Sequence, residues 1–227
     1  MTEKQIKDHA RELVTQEKYQ EALDFCNFVL AHNPKNPEAI YTKGHVFMRM
    51  DRDEEAIKLF DQALENGISP SGETHFYRGL TLKTIGRDQE GDQAYMAAAS
   101  NNPRRSNIAF VMTSYVHRKK WSQAIDFCRT VLQHDPKNAE AHFQLGMLFK
   151  RLEQNEKAIE YFKLAIQFNR VHVGEAYYYL GMVLEYIQKP REALEAYQSA
   201  ISHGFDYKGA YHSVNKLRIQ LGEDLNR

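Results

Sequence analysis

The sequence has little cysteine and no excess of either charge, and both shortages limit what the protein can be. Its 227 residues include 30 Lys and Arg against 30 Asp and Glu, so the formal net charge is zero. A uniformly basic surface that would bind nucleic acid or an anionic membrane is therefore not expected. Cys26 and Cys128 are too few for a disulfide framework and lie in apolar helical segments, which predicts buried, reduced thiols and a cytoplasmic location.

Long apolar runs are also missing. No stretch approaches the roughly 18 consecutive apolar residues that cross a bilayer. The polar segment 1–10, with charges of both signs, has no feature of an export signal. We therefore expect no direct insertion into a membrane. With 42% hydrophobic and 26% charged residues, the composition is typical of an ordinary folded protein.

The motifs of common active sites are absent. None of the ten histidines has the helical two-histidine spacing of a zinc hydrolase, and there is no CxxC pair. The glycines form neither GxGxxG nor GxxxxGK[ST], and no serine lies in a nucleophile elbow. The acids between residues 51 and 55 are explained by the dipole at a helix N-terminus. We predict no catalytic residue, no metal and no cofactor, with an accessory enzyme whose site is unrecognised as the alternative.

What the sequence does contain is a repeated pattern of small and aromatic residues. Gly44, Gly79, Gly146 and Gly181 each lie within a helical segment, where glycine costs about 1 kcal/mol relative to alanine. The residues 12 and 16 positions after them are Ala56 and Phe60, Gly91 and Tyr95, Ala158 and Phe162, and Ala193 and Tyr197. A small residue that recurs at such a cost predicts close packing of two helices.

This pattern, with a period of about 34 residues, resembles the tetratricopeptide repeat. The resemblance covers nearly the whole chain and implies an all-α fold, a right-handed α-solenoid of antiparallel helix pairs with a C-terminal capping helix. Six repeats begin near residues 3, 37, 72, 105, 139 and 174. Repeats one and four have Ala10 and Met112 where the others have glycine, so their first helices are expected to pack less closely.

The repeats are themselves duplicated. Residues 20–39 and 122–141 are identical at twelve of twenty positions, at a constant offset of 102 residues. Average composition predicts about one chance match in twenty. The same offset pairs Gly44 with Gly146 and Gly79 with Gly181. The sequence therefore predicts two copies of a three-repeat module.

The duplication sets the expected domain boundaries. Repeats one to three occupy residues 1–102, repeats four to six occupy 103–204, and residues 205–227 form a capping helix and tail. The polar segment 100–107 between the modules contains a proline. It is either a hinge or an ordinary turn between repeats.

The charges differ between the copies. Residues 1–102 hold 12 Lys and Arg against 17 Asp and Glu, whereas residues 103–227 hold 18 against 13. Head-to-tail association of chains, as a homo-oligomer, is one hypothesis that follows. Its residues would be Arg104, Arg105, Arg118, Lys119 and Lys120 on one side, and Asp51, Asp53, Glu54 and Glu55 on the other. The alternative is that these faces are solvated and never meet.

The resemblance also implies a binding surface, because in the tetratricopeptide fold the first helices of successive repeats line a concave groove. Aromatic side chains and methionine are favoured in surfaces that bind partners. The groove positions here hold Tyr41, His45, Phe76, Leu80, Phe143, Met147, Tyr178, Met182 and Tyr186. The alternative for each aromatic residue is a place in the core between neighbouring first helices.

One known mode of binding can be tested against the residues. Chaperone-binding tetratricopeptide domains resemble each other in a carboxylate clamp of Lys, Asn, Asn, Lys and Arg. The matching positions here hold Lys7, Arg11, Thr42, Glu73 and Tyr77, of which only Lys7 fits. Binding of a chaperone C-terminus in that manner is therefore not expected.

The resulting expectation is a non-enzymatic interaction scaffold or adaptor that binds a peptide or amphipathic helix of another protein. The alternative is a self-oligomerising scaffold that coats or organises a larger assembly or organelle. Magnetosome-associated tetratricopeptide proteins are an analogue of that alternative in architecture only.

Overall fold

The computed structural model describes residues 3–69, 71–101, 104–168 and 173–222, including their side chains except those of residues 3, 4, 7, 105 and 106. Within these ranges all regular structure is helical, which confirms the all-α prediction. The thirteen helices of the described ranges are, in chain order, α1 Glu3–Thr15, α2 Tyr19–His32, α3 Pro37–Arg49, α4 Asp53–Glu65, α5 Gly72–Thr84, α6 Asp88–Ala99, α7 Arg105–His117, α8 Trp121–His134, α9 Ala139–Arg151, α10 Asn155–Phe168, α11 Val173–Tyr186, α12 Pro190–Ser202 and α13 Lys208–Leu221.

The chain divides into two compact units, Met1–Asn107 and Ile108–Arg227. In unit 1, α3 packs on α4 and α5 packs on α6, and in unit 2, α9 packs on α10 and α11 packs on α12. The module boundary that the duplication predicts, between residues 102 and 103, falls on two residues outside the described ranges. A hinge in segment 100–107 stays a prediction.

Duplicated residues begin equivalent helices in the two units. Asn36 precedes α3, and its side-chain oxygen accepts a hydrogen bond from the Ala39 backbone N–H at 2.9 Å. Asn138 precedes α9 and accepts from the Ala141 N–H at 3.0 Å. Each asparagine thus satisfies one of the backbone donors that a helix start leaves without a partner.

The turn between the two helices of a pair requires left-handed backbone. Gly86 has this conformation between α5 and α6, with φ of 83°. Residues other than glycine adopt it in the five remaining turns: Glu17, Asp51, Lys119, Glu153 and Gln188, with φ between 55° and 61°. The left-handed region costs an ordinary residue about 1 kcal/mol or more, so five turns hold strain that the packed helices offset.

The recurring glycines face the recurring aromatic rings. A Cβ atom added to Gly146 would lie 2.7 Å from Cδ1 and Cε1 of Phe162, and one added to Gly79 would lie 2.7 Å from Cδ1 of Tyr95. The corresponding distance is 2.9 Å between Gly181 and Tyr197, but 3.1 Å for Gly44. The predicted close packing of the paired helices is confirmed at these positions.

Repeats one and four fill the same layer with different residues. Cys26 and Cys128 lie 16 residues after Ala10 and Met112, in the position that the aromatic residue takes elsewhere, and all four are buried. The Cys128 Sγ lies 3.3 Å from the Met112 Sδ and donates to it. A larger residue on the first helix is thus matched by a smaller one on the second, which keeps the layer filled.

The prediction of buried thiols is confirmed, because both cysteines are free and buried. Burial raises the pKa of the Cys26 thiol to about 12, although the Lys43 cation lowers it slightly. Burial also raises the pKa of Cys128, and the Glu140 carboxylate adds to that shift. Both thiols therefore have a packing role.

The predicted capping helix is present as α13. It buries Ala210, Val214 and Leu217 against α12. No helix in the described part of the chain is long and apolar enough to cross a membrane.

Candidate functional site

The first helices of unit 1 form a pocket of about 180 Å³. Its side chains come from α1, α3 and α5 and from the residue that precedes α7. They are Arg11, Val14, Thr15, Tyr41, Thr42, His45, Glu73, Tyr77 and Arg104. We call this the Glu73 pocket.

An ion-paired carboxylate organises the Glu73 pocket. Oε2 of Glu73 accepts a hydrogen bond from Nη2 of Arg11 at 2.7 Å and forms an ion pair with Nη2 of Arg104 at 2.9 Å. The Glu73 side chain is largely buried, with 13% exposed. Both arginines of the pocket are thus already engaged by a carboxylate of the same chain.

The rings of the Glu73 pocket are neutral at physiological pH. Burial, assisted by the cations of Arg49 and Arg11, lowers the pKa of His45 to about 4. Burial and the nearby Glu73 carboxylate raise the pKa of Tyr77, and the same two causes raise that of Tyr41. The His45 and Tyr77 ring centroids lie 4.5 Å apart. The pocket therefore combines uncharged aromatic side chains with a closed ion-pair network.

Unit 2 has a pocket of about 390 Å³ on its first helices α7 and α9. Its residues are Met112, Thr113, Val116, His117, Gln144, Met147, Leu148, Lys150 and Arg151. At the offset of 102 residues, Thr113, Val116, His117, Gln144 and Met147 correspond to Arg11, Val14, Thr15, Thr42 and His45 of the Glu73 pocket. We call this the Met147 pocket. The two modules thus have a pocket at the same place, but no acid lines the Met147 pocket, whereas Glu73 lies in the pocket of unit 1.

A third pocket, of about 250 Å³, also lies in unit 2. It is formed mainly by α9 and α11 and contains Lys150, Arg151, Glu153, Asn155, Met182, Val183 and Tyr186. We call it the Tyr186 pocket. Lys150 and Arg151 belong to both pockets of unit 2 and therefore lie where the two adjoin.

Lys150 and Arg151, which line both pockets of unit 2, form no ion pair with an acid in the described ranges. Neither the Lys150 nor the Arg151 side chain makes a hydrogen bond or ion pair with any residue in the described ranges. Their recorded contacts are with ring faces. The Lys150 Nζ lies 5.9 Å from the Tyr179 ring centroid, and the guanidinium carbon of Arg151 lies 5.9 Å from that of Trp121.

Five of the nine predicted groove residues line these pockets. They are Tyr41 and His45 in unit 1 and Met147, Met182 and Tyr186 in unit 2. Tyr41 is only 4% exposed, so most of its ring belongs to the core. Tyr186, in contrast, is 65% exposed.

The other four predicted groove residues, Phe76, Leu80, Phe143 and Tyr178, are not among the residues of the three pockets. Phe76 requires a correction: it is 5% exposed and its ring stacks on Tyr95 at 6.0 Å, so it belongs to the core rather than to an open groove. The Phe143 ring contacts Phe162, and the Tyr178 ring contacts Phe205 and Tyr207. Leu80 is half-buried.

The positions compared with the carboxylate clamp do locate a site, although their chemistry differs. Arg11, Thr42, Glu73 and Tyr77 all line the Glu73 pocket, whereas the side chain of Lys7 lies outside the described residues. The sequence did not indicate that Arg104 lines a pocket, because nothing near it in the sequence points to Glu73 as its partner.

Several residues predicted for self-association are engaged within the chain. Arg104 pairs with Glu73, and Glu55 accepts from the Arg52 guanidinium at 2.6 and 2.7 Å. Glu54 lies 3.6 Å from Arg87. The Arg105 side chain lies outside the described residues. Self-association stays a prediction.

Among the described residues, no group of three or more His, Cys, Asp or Glu is arranged to hold a metal ion.

Comparison with known proteins defines the class. Profiles described as "Tetratricopeptide repeat" match residues 13–67, 139–172 and 175–203, which together make up more than half of the chain. The chain belongs to the tetratricopeptide repeat family. Repeats of this family are protein-interaction modules.

The individual relatives are distant. Tetratricopeptide repeat protein 6 of Homo sapiens is 28% identical over 127 residues, which make up 56% of this chain and only 24% of the human protein. The structure of PilW, a type IV pilus biogenesis factor, matches with a TM-score of 0.59 and 18% identity, covering 93% of this chain and 97% of PilW. The Cut9–Hcn1 structure matches with a TM-score of 0.54 and 12% identity, covering 95% and 43%. These structural matches show a shared fold.

Proposed function

We propose that this protein is a non-enzymatic scaffold or adaptor that binds a peptide or amphipathic helix of another protein. Each unit has its own binding surface, formed by the first helices α1, α3 and α5 in unit 1 and by the first helices α7, α9 and α11 in unit 2. One observation supports this above the others. Almost every residue of the three pockets comes from these helices, and two of the pockets occupy equivalent positions in the two modules.

The chemistry of the surface in unit 2 supports the same proposal. Met147 and Met182 are half-buried, and Tyr186, which is mostly exposed, lines the same pocket as Met182. A thioether adapts to the shape of a bound side chain, and a tyrosine contributes a large contact area at low cost in conformational entropy. Such residues commonly dominate the affinity of an interface.

The test compares two aromatic residues of similar exposure, one on a first helix and one on a second helix. Tyr186 lies on the first helix α11 and is 65% exposed, whereas Phe28 lies on the second helix α2 and is 62% exposed. Peptides selected from a random display library on the full chain are expected to bind Tyr186→Ala about tenfold or more weakly. Binding to Phe28→Ala is expected to be unchanged. Failure to select any peptide, or equal losses in both variants, would contradict the proposal.

A variant in which all the groove aromatics are replaced together is unsuitable as a test. Tyr41 and Phe76 are core residues, and truncation of a buried aromatic costs about 3–5 kcal/mol of stability. Loss of binding in such a variant would report unfolding. Tyr186→Ala avoids this difficulty because its ring is exposed.

The alternative is a self-oligomerising scaffold held by the opposite charges of its two modules. Sedimentation velocity over a range of protein concentrations at low and high salt distinguishes it, because head-to-tail ionic contacts weaken as salt shortens the Debye length from about 10 Å at 0.1 M. A monomer at every concentration and salt would exclude it. The cytoplasmic location also remains a proposal, for which the two buried free thiols are the support.

A further inference from the structure

The duplicated modules differ most in how their groove cations are used. In unit 1, the residues that correspond to Lys150 and Arg151 are Met48 and Arg49. Arg49 is engaged: its Nε lies 3.3 Å from the Tyr19 hydroxyl, and its Nη2 lies 3.7 Å from Glu17 Oε1. Unit 1 therefore has one cation at this place, and that cation has partners within the chain.

In unit 2, the partners of this cation have been replaced. Glu17 corresponds to Lys119 and Tyr19 corresponds to Trp121, so Arg151 has neither the carboxylate nor the hydroxyl that Arg49 has. Met48 corresponds to Lys150, which adds a second cation. Three differences between the copies thus act in the same direction: they add one cation and remove both partners of the other.

Glu153 and Glu185 form no ion pair with Lys150 or Arg151. Glu153 lines the Tyr186 pocket but makes no ion pair with a residue in the described part of the chain. On α11, Glu185 is held by Lys216, whose Nζ lies 2.8 Å away, and by the Tyr197 hydroxyl at 2.9 Å. An anionic group from outside the chain can therefore contact Lys150 and Arg151 without displacing an existing partner.

Two cavities, each lined in part by apolar side chains, adjoin the two cations. The Met147 pocket and the Tyr186 pocket have volumes of about 390 and 250 Å³. A water molecule occupies about 30 Å³ of liquid volume, so either cavity can admit a side chain of several heavy atoms. Met112, Val116 and Met147 contribute apolar surface to the first cavity, and Met182 and Val183 contribute it to the second.

We propose that unit 2 recognises a peptide segment in which an acidic side chain lies between two apolar side chains. The acidic group contacts Lys150 and Arg151, and the apolar side chains enter the Met147 pocket and the Tyr186 pocket. This inference rests on the proposed peptide-binding function and specifies its ligand. Charge complementarity identifies the ligand as acidic, because the site has two cations without acidic partners among the described residues.

The same reasoning assigns this specificity to unit 2 and not to unit 1. An acidic ligand in the Glu73 pocket would have to compete with Glu73 for Arg11 and Arg104. At Lys150 and Arg151 no ion pair with a described residue has to be broken. The duplication has thus produced one module whose cations are satisfied internally and one whose cations are available to a partner.

The experiment begins with selection of peptides from a random display library on the full chain. We expect the selected sequences to share an Asp or Glu flanked by apolar residues. Synthetic versions are then titrated with intrinsic fluorescence as the readout, because the single tryptophan, Trp121, lies beside Arg151. Binding is expected to change its emission and to weaken as salt is added.

The variants remove the two cations one at a time and together. Lys150→Met introduces the residue of unit 1, and Arg151→Gln removes the second cation while keeping a polar side chain. The combined variant is expected to bind the selected peptides about tenfold or more weakly, since hydrogen bonds to charged groups are lost. The control Lys163→Met with Arg129→Gln removes two exposed cations from the second helices α10 and α8, neither of which lines any of the three pockets as a residue, and it is expected to bind the peptides as the parent protein does.

A change in the peptide tests the contact without altering the protein. Replacement of the acidic residue by its amide is expected to weaken binding to the parent protein by the same factor, and to have little further effect on the combined variant. The inference is overturned if the selected peptides lack an acidic residue, or if the combined variant binds them unchanged. Either result leaves the proposed peptide binding intact. If no peptide is selected, both proposals fail.

Discussion

Replacement of Gly146 by alanine tests whether the contact between a glycine and an aromatic ring determines the packing of each repeat. The added Cβ would lie 2.7 Å from two ring carbons of Phe162, which is fully buried and cannot move aside. Overpacking of this kind costs about 1–3 kcal/mol. Alanine offsets about 1 kcal/mol of that cost through its higher helix propensity. We therefore expect Gly146→Ala to lower the free energy of unfolding by up to about 2 kcal/mol.

The sign of the effect is expected to reverse when the ring is removed. Repeat one carries alanine and cysteine in these two positions, as Ala10 and Cys26. In a Phe162→Cys background the clash is absent, and Gly146→Ala should then stabilise the protein by about 1 kcal/mol through helix propensity alone. The coupling energy between the two substitutions is thus expected to be about 1–3 kcal/mol.

The assay is urea unfolding followed by far-UV circular dichroism for the parent, the two single variants and the double variant. Gly44→Ala is the matched comparison, because its Cβ would lie no closer than 3.1 Å to a neighbour, and a smaller loss is expected. If Gly146→Ala stabilises the protein equally in both backgrounds, the glycine serves no packing role and the reasoning is refuted.

Three further predictions concern the turns, the buried histidine and the thiols. Gly86→Ala should lower the free energy of unfolding by about 1 kcal/mol, and with it the thermal midpoint, because φ at this position is 83°. Gln188→Gly should leave the stability unchanged or raise it. A stabilising Gly86→Ala together with a destabilising Gln188→Gly would contradict the account of the turns. Because the pKa of His45 is lowered to about 4 in the folded protein, its contribution to stability is present above about pH 6.5 and is lost as the pH falls toward 4. The free energies of unfolding of the parent and of His45→Met, obtained from urea titrations over this range, should therefore diverge, by on the order of 2 kcal/mol at pH 5. Parallel curves would show that His45 is not the cause. Cys26 and Cys128 should resist alkylation at mildly alkaline pH in the folded protein and react in urea, and rapid labelling of the native protein would contradict their burial.

The groove shows where sequence reasoning was insufficient. Phe76 and Tyr178 occupy the same position of their repeats, and the sequence predicted both as ligand contacts. In the structure the Phe76 ring is buried on Tyr95, whereas Tyr178 is half-buried among the aromatic residues near α13. The two differ because each ring responds to the neighbouring helices that cover it, and these differ between repeats.

The site in unit 1 was hidden for a similar reason. Arg11 and Glu73 are 62 residues apart, and Arg104 lies farther along the chain, yet all three meet at one carboxylate oxygen. No local pattern marks such a pair. The positions of the carboxylate clamp did coincide with four residues of this pocket, Arg11, Thr42, Glu73 and Tyr77. The side chains at these positions are not those of the clamp, so that mode of binding was not expected.

The sequence by itself determined the family, the alternation of paired helices and the layer in which a small residue faces a large one. These features could be read because a solenoid repeat makes its main contacts with itself and its neighbours, at separations that recur along the chain, such as the 16 residues from Gly146 to Phe162. Only the tertiary structure decided which charges are satisfied. In the first module Arg11 and Arg104 form ion pairs with Glu73, whereas Lys150 and Arg151 form no ion pair with any described residue. Whether a charge is neutralised depends on distances of a few ångströms between helices remote in sequence, and a count of charges contains no such distances.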